Sequence, residues 1–144
     1  MASSLPVELT RRTGYRLWVN EVVRFADLDV LGHANNKSVM TYIESGRVAL
    51  LRRMFGEIWT GSRPPVAVHL AVDFLAEIHW PNELQVGAAV SRQGNSSFDL
   101  ATGVFIGERC CAAAISTLVL IDKQTRRPLP LTAEDRAELT RWAL

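Results

Sequence analysis

Two aspartates, a histidine and two asparagines fall within one short run, Asp27-Leu-Asp29-Val-Leu-Gly-His33-Ala-Asn35-Asn36. From Lys37 onward the pattern is helical. A helix starting at Asn35 or Asn36 leaves its first backbone N–H groups without partners and turns the positive end of its dipole toward this run. A carboxylate at Asp29, in the loop feeding that helix end, is then a nucleophile or base beside donors able to hold a developing oxyanion. Such a pairing suits attack on an acyl carbonyl. The same residue types also serve plainer purposes: Asp29 as an Asx-turn residue, His33 as a packed turn residue, Asn35 and Asn36 as helix caps.

The flanking elements must position these groups. Upstream, Tyr15, Leu17, Val19, Val22, Val23 and Phe25 alternate roughly and predict a strand ending at Phe25. Downstream, Val39, Ile43, Gly46, Leu50 and Met54 are spaced three or four apart, with a second apolar line through Met40, Val48, Leu51 and Phe55. This predicts a helix wrapped by other structure and stopped at Gly56. Glu44, Arg47 and Arg52 form its polar edge, with Glu44 and Arg47 spaced to pair. Thr60-Gly-Ser-Arg-Pro-Pro65 reads as a loop long enough to cover a pocket. Val66 to Trp80 reads as extended and closes at Pro81-Asn82, while Leu84 to Val90 and Phe98 to Ile106 alternate about a Gly94-Asn95 turn. Cys110 to Ile121 is nearly all apolar and small, as in a strand covered on both faces. Asp122 to Pro130 is a loop, and Thr132 opens a helix leading to Trp142. Hairpin-length links between the last four strands imply antiparallel pairing, and the one long helix must lie on the sheet, which makes the class α+β.

With 144 residues, 48% of them hydrophobic and 22% charged, the chain is sized for a single domain over 1-144, with 1-14 as a frayed N-terminal segment. The formal net charge of +1 gives no case for nucleic acid or an anionic membrane as main partner, and Arg52-Arg53 and Arg126-Arg127 are too short to change that. No stretch approaches the ~20 apolar residues of a membrane helix. The N-terminus also lacks the apolar core of a signal peptide, so a cytoplasmic location is expected. The adjacent Cys110 and Cys111 read as reduced core residues, since neighbouring strand side chains point to opposite faces. His69 and His79 fall in a predicted strand without metal-ligand spacing, and no metal is expected. Neither a Gly-x-Ser-x-Gly elbow nor a phosphate-binding Gly-rich loop is present.

The run Phe25-Ala-Asp-Leu-Asp29-Val-Leu-Gly-His33-Ala-Asn-Asn36, followed by Tyr42-Ile-Glu-Ser-Gly-Arg47, resembles the hotdog-fold thioesterases of the 4-hydroxybenzoyl-CoA thioesterase type. The likeness continues through Val72 to Leu84, Gly94 to Phe98 and Cys111 to Asp122, and so covers nearly all of Tyr15 to Leu131. It implies a curved antiparallel five-stranded sheet wrapped around the long helix, with a short C-terminal helix. It also implies a homodimer or homotetramer whose acyl-CoA sites lie between subunits. Asp29, the second Asp of the Asp-x-Asp pair, takes the nucleophile or general-base position of such enzymes, and Asp27 is structural. The backbone N–H of Asn36 takes the oxyanion position, with Asn35 beside it. His33 matches a histidine of the plant acyl-carrier-protein thioesterases and would orient or contact substrate. Those enzymes carry Asn two residues earlier, where this chain has Leu31, so their Asp–Asn–His set does not carry over. The turn at Ser96 and Ser97, with Arg92 as the nearest cation, is where resembling enzymes approach CoA.

The expected activity is hydrolysis of an aliphatic or aromatic acyl-CoA to free acid and CoA. No cofactor is expected, since CoA is part of the substrate. An acyl-carrier-protein thioester is the alternative substrate, a non-catalytic acyl-CoA-binding module the alternative class, and a hotdog dehydratase ranks last because its motif is absent.

Overall fold

The computed structural model describes residues 4–57 and 61–144. Readings that concern Met1 to Ser3 and Thr60 lie outside the described residues. In chain order the elements are β1 (Leu17–Val22), α1 (Asn36–Phe55), β2 (Pro65–Phe74), β3 (Glu83–Gln93), β4 (Ser97–Ile106), β5 (Arg109–Leu120) and α2 (Ala133–Arg141). The strands form one antiparallel sheet in the order β1-β3-β4-β5-β2. The helix α1 packs over β1, β3 and β4. This is the hotdog arrangement. Among the described residues no helix is long and apolar enough to cross a membrane.

Local chemistry explains where α1 begins and ends. The Asn35 side chain accepts from the backbone N–H of Ser38 at 2.8 Å, which caps the helix, and Gly56 closes it with φ 72° and an N–H to the Arg52 carbonyl. Val39, Tyr42, Ile43, Gly46, Leu50, Leu51 and Met54 are buried, as the helical spacing requires. At Gly46 the helix comes so close to β3 that a Cβ would stand 2.6 Å from Val86. The second apolar line is only partly covered, since Met40 stays 40% exposed.

Four readings of the sequence need correction. β1 ends at Val22 instead of Phe25, because Arg24 N donates to the Asp27 carboxylate and Asp27 N to the Arg24 carbonyl, folding Phe25–Asp27 into a 3-10 turn. The extended segment 66–80 is strand only to Phe74. There Leu75 N and Ala76 N both donate to the Cys111 carbonyl, which bends the chain off the ladder and takes His79 out of the sheet. The short link to β3 is also no hairpin, since β2 lies at the far edge beside β5. Finally, residues 4–14 are not frayed. Two 3-10 turns, Val7–Thr10 and Arg12–Gly14, lie on the outer sheet face, with Leu9 and Tyr15 buried against Ala89, Ala101, Phe105 and Ala113.

That outer layer is specific in its contacts. The Tyr15 hydroxyl donates to the Leu9 carbonyl at 2.7 Å, and Gly87 makes room for the ring, since a Cβ there would meet it at 2.6 Å. Burial pushes the Tyr15 phenol above its ordinary range. The Arg12 guanidinium lies over Trp18 at 4.1 Å. Ser4 N and Oγ and Leu5 N all donate to Asp73 at the end of β2. Leu9→Ala should therefore cost about 2–4 kcal/mol in urea unfolding, as for other buried leucines. An effect below about 0.5 kcal/mol would restore the frayed reading.

Candidate functional site

The loop between β1 and α1 is held from within. One Asp27 carboxylate oxygen accepts from Arg24 N at 2.9 Å and from the buried Tyr42 hydroxyl of α1. The Asp27 carbonyl accepts from Asn35 N at 3.0 Å and from Ser38 Oγ at 3.2 Å. Burial, followed by the hydrogen bond to Asp27 and its charge, raises the Tyr42 phenol well above its ordinary range, so it stays a donor. Asp27 thus ties the loop to the first turns of the helix, the structural role its position suggested.

Within that frame Asp29 N donates to the His33 carbonyl and Gly32 N to the Asp29 carbonyl, making a tight turn with Val30 and Leu31 exposed at its tip. The half-buried Asp29 carboxylate uses Oδ1 to accept from Leu31 N at 2.9 Å. Its other oxygen has no hydrogen-bond partner among the described residues. Ala34 N is taken by the Ile78 carbonyl at 2.7 Å. The backbone N–H groups of Asn36 and Lys37, at the start of α1, find no acceptor among the described residues, as helix geometry dictates.

A cavity of about 190 Å³ opens at this helix end, between α1, the segment after β2 and the start of β5. Val39, Phe74, Ile78 and Cys111 make its apolar lining, and His33, Asn36 and Glu77 its polar edge. His33 and Asn36 are thus brought together, while Asp29 is not among the lining residues. Burial raises the Cys111 thiol above its ordinary value, so it remains a neutral wall residue.

Sequence reading missed Glu77 and His79. Glu77 lies 3.9 Å from His33 Nε2 through one oxygen and 3.1 Å from His79 Nε2 through the other, and the two imidazoles meet edge to face at 6.2 Å. The Glu-x-His spacing puts both side chains on one face of an extended segment, a signal that the strand reading obscured. Among the described residues no set of three His, Cys, Asp or Glu side chains is placed to hold a metal.

The Arg92, Ser96 and Ser97 turn lies elsewhere. Ser97 pairs with Val119 of β5 whereas Val104 pairs with Ala112, beside the cavity, so roughly 20 Å of strand separates the two ends. Arg92 already forks onto Asp99, with Nε at 2.6 Å, and reaches Ser97 Oγ at 3.1 Å. Burial works against the Asp99 charge, but Arg92 and Thr117 outweigh it and hold the carboxyl below its ordinary value. On α1, Arg47 pairs with Glu44 at 3.3 Å and also donates to Ser116 of β5.

Comparison with known proteins agrees with this arrangement. The model of a family described as the thioesterase-like superfamily matches residues 23–141. A thioesterase of Thermus thermophilus, solved with coenzyme A and Zn, is 30% identical, with 88% of this chain and 98% of that one covered at a TM-score of 0.79. A Pseudomonas aeruginosa protein is 26% identical at a TM-score of 0.82, covering 92% and 95% of the two chains. An uncharacterised Bacillus subtilis protein, YsmA, is 23% identical over 132 residues, 89% of this chain and 88% of that one.

The geometry of the loop yields one direct expectation. Asp27→Ala leaves the Tyr42 hydroxyl and Arg24 N without their acceptor, so unfolding free energy should fall by about 1–3 kcal/mol. Tyr42→Phe, which removes the donor as well as its need, should lose less; the opposite ranking in thermal or urea melts contradicts the anchoring role of Asp27.

Proposed function

As a member of the thioesterase-like superfamily, the chain is read as a thioester hydrolase, and we propose that it cleaves an acyl-CoA to the free acid and CoA, with Asp29 as base or nucleophile. The observation that carries this reading is the Asp29 carboxylate, with one oxygen unspent, on the loop that delivers the unpartnered amides of Asn36 and Lys37. As base, Asp29 takes a proton from water while the oxygen adds to the thioester carbonyl. As nucleophile, its carboxylate forms a mixed anhydride that water then cleaves. Either way the carbonyl oxygen gains negative charge where the Asn36 amide and the helix dipole favour it. Collapse breaks the C–S bond and expels the CoA thiolate, which takes up a proton. The apolar wall of Val39, Phe74 and Ile78 suits the acyl portion. His33, held beside Glu77, orients or contacts the substrate. The reaction needs no bound cofactor, and both free cysteines fit work in the reduced cytoplasm.

One observation favours a second reading, a binding module without chemistry: Asp29 lies outside the cavity lining. Thiol release from a panel of aromatic, short and long acyl-CoAs separates the two. Tight binding with the thioester intact after long incubation supports the module, and turnover removes it. Asp29→Asn keeps the acceptor for Leu31 N yet loses the charge, so kcat should drop by roughly 10²-fold or more with KM little changed. A variant that melts like wild type and keeps more than about a tenth of its kcat ends the assignment of Asp29.

The active form is proposed to be a homodimer joined along β2, with a homotetramer as its higher assembly. β2 is a ten-residue edge strand whose Val68 and Leu70 are 60% and 39% exposed. An unprotected apolar edge of this length invites pairing with a second chain. Light scattering at micromolar concentration should give at least twice the chain mass, and Leu70→Lys with Val68→Lys should shift it toward the monomer. A monomeric wild type contradicts the assembly.

A further inference from the structure

One cation stands against the wall of the cavity. Arg109 opens β5 opposite Ile106, whose side chain packs on the inner core. Cys110 belongs to the outer cluster and Cys111 to the inner one, so alternation along the strand starts the Arg109 side chain on the cavity face of the sheet. Burial raises the Cys111 thiol, while the charge of the Arg109 guanidinium and a hydrogen bond to it oppose that rise, in keeping with a guanidinium beside this lining residue. The acidic neighbours are engaged elsewhere. Glu108 pairs with Arg12 at 3.6 Å, and Glu77, on the cavity lining, turns its two oxygens to His33 and His79. Among the described residues no carboxylate lies within ion-pairing distance of Arg109. Lys37, on the first turn of α1, and Arg24, on the loop before it, add positive charge at the same end of the chain.

The cavity also limits what its walls can hold. A cavity of about 150 Å³ admits a benzene molecule, so one of about 190 Å³ takes an acyl chain of roughly four to six carbons. Beyond it α1 is seated closely on the sheet. Ile43, Val86, Val104 and Ala114 are fully buried, and a Cβ on Gly46 would stand 2.6 Å from Val86. We infer that Arg109 is a specificity-determining residue that holds the terminal carboxylate of a short dicarboxylic acyl group, of the succinyl or glutaryl kind, whose thioester lies against the Asn36 amide on the opposite wall. The inference rests on the thioesterase reading above and supplies its acyl class. With the carbonyl on the α1 side, the methylenes cross Val39, Phe74 and Ile78, and the chain ends toward the start of β5, at Cys111 and Arg109. A carboxylate there meets a planar fork of N–H donors that matches its two oxygens. The methyl end of a fatty acyl chain of equal length leaves that fork to water.

The test pairs glutaryl-CoA with valeryl-CoA, thioesters of equal length that differ in a terminal carboxylate against a methyl group. Wild type should show the higher kcat/KM on glutaryl-CoA. Arg109 is exposed, so its replacement should leave the melting temperature unchanged. Arg109→Gln should lower kcat/KM for glutaryl-CoA about tenfold, as for the loss of one charge-assisted hydrogen bond, and leave valeryl-CoA unaffected. Arg109→Lys, which keeps the charge without the fork, should retain part of the preference. Lys123→Gln removes one positive charge at the far end of the sheet and should alter neither substrate. Calorimetry with S-carboxybutyl-CoA and S-pentyl-CoA, thioethers that cannot be hydrolysed, reads the same choice without turnover. Tighter binding of the carboxylate form to wild type, lost in Arg109→Gln, supports the subsite even if no thioester is cleaved, in which case only the hydrolase reading fails. Equal binding of the two thioethers to wild type overturns it. So does a kcat/KM on valeryl-CoA at least as high as on glutaryl-CoA, or an equal loss for both in Arg109→Gln, which would assign the cation to the CoA moiety they share.

Discussion

The Asp27 carboxylate, shared between Arg24 N and the buried Tyr42 hydroxyl, is the contact on which the site geometry depends. A loop carrying two Asp, a Gly and a His has no regular ladder to hold it. Its backbone groups must still find partners where they are buried. Asp27 meets that need at three places, turning the chain after β1, seating it on α1, and accepting Asn35 N through its carbonyl. Asn35 then spends its own side chain on Ser38 N. The first helical amides left over are those of Asn36 and Lys37. The position of these free amides follows from this chain of satisfied groups.

The sheet divides its apolar surface unequally. The inner face over β1, β3 and β4 is covered by α1, and the outer face by the strap of residues 4–16, which encloses its own cluster around Leu9, Tyr15 and Phe105. What neither fully covers is the β2 edge, where Val68 and Leu70 remain open. Arg47 lies along this flank with its side chain 13% exposed, its charge balanced by Glu44 and its remaining donor on Ser116. A chain that covers its outer face with its own N-terminal segment leaves the edge of β2 uncovered. The strap also reaches the site indirectly, because Ser4 and Leu5 bind Asp73, one residue before the cavity wall begins at Phe74.

Local rules made much of this legible in the sequence. The Asn35 cap, the Gly56 stop, the burial of Val39, Ile43 and Leu50, and the Thr132 capping box on α2 each depend on residues within a turn or two of one another. The failures are nonlocal. A short link permits either a hairpin or a crossing to the far edge, and only the competition for β5 puts β2 there. The strap carries no helical or strand period, and its partners Gly87, Gly103 and Phe105 are about seventy or more residues away. Glu77 was hidden because its partner His33 lies 44 residues earlier and no local pattern joins the two. The backbone instead leaves the ladder at Leu75 and turns Glu77 toward His33.

Charge along the sheet is distributed without a single dominant sign at the site. The cavity end of the chain carries both signs, with Asp27, Asp29 and Glu77 close in the structure to Arg24, Lys37 and Arg109. Lys123, Arg126 and Arg127, on the turn that follows β5, lie at the opposite end of the sheet. With a formal net charge of only +1, long-range attraction for an anion is weak and is further reduced beyond the ~8 Å screening length at physiological salt. A carboxylate meant to act as base or nucleophile also gains from distance to a cation cluster, which would lower its basicity.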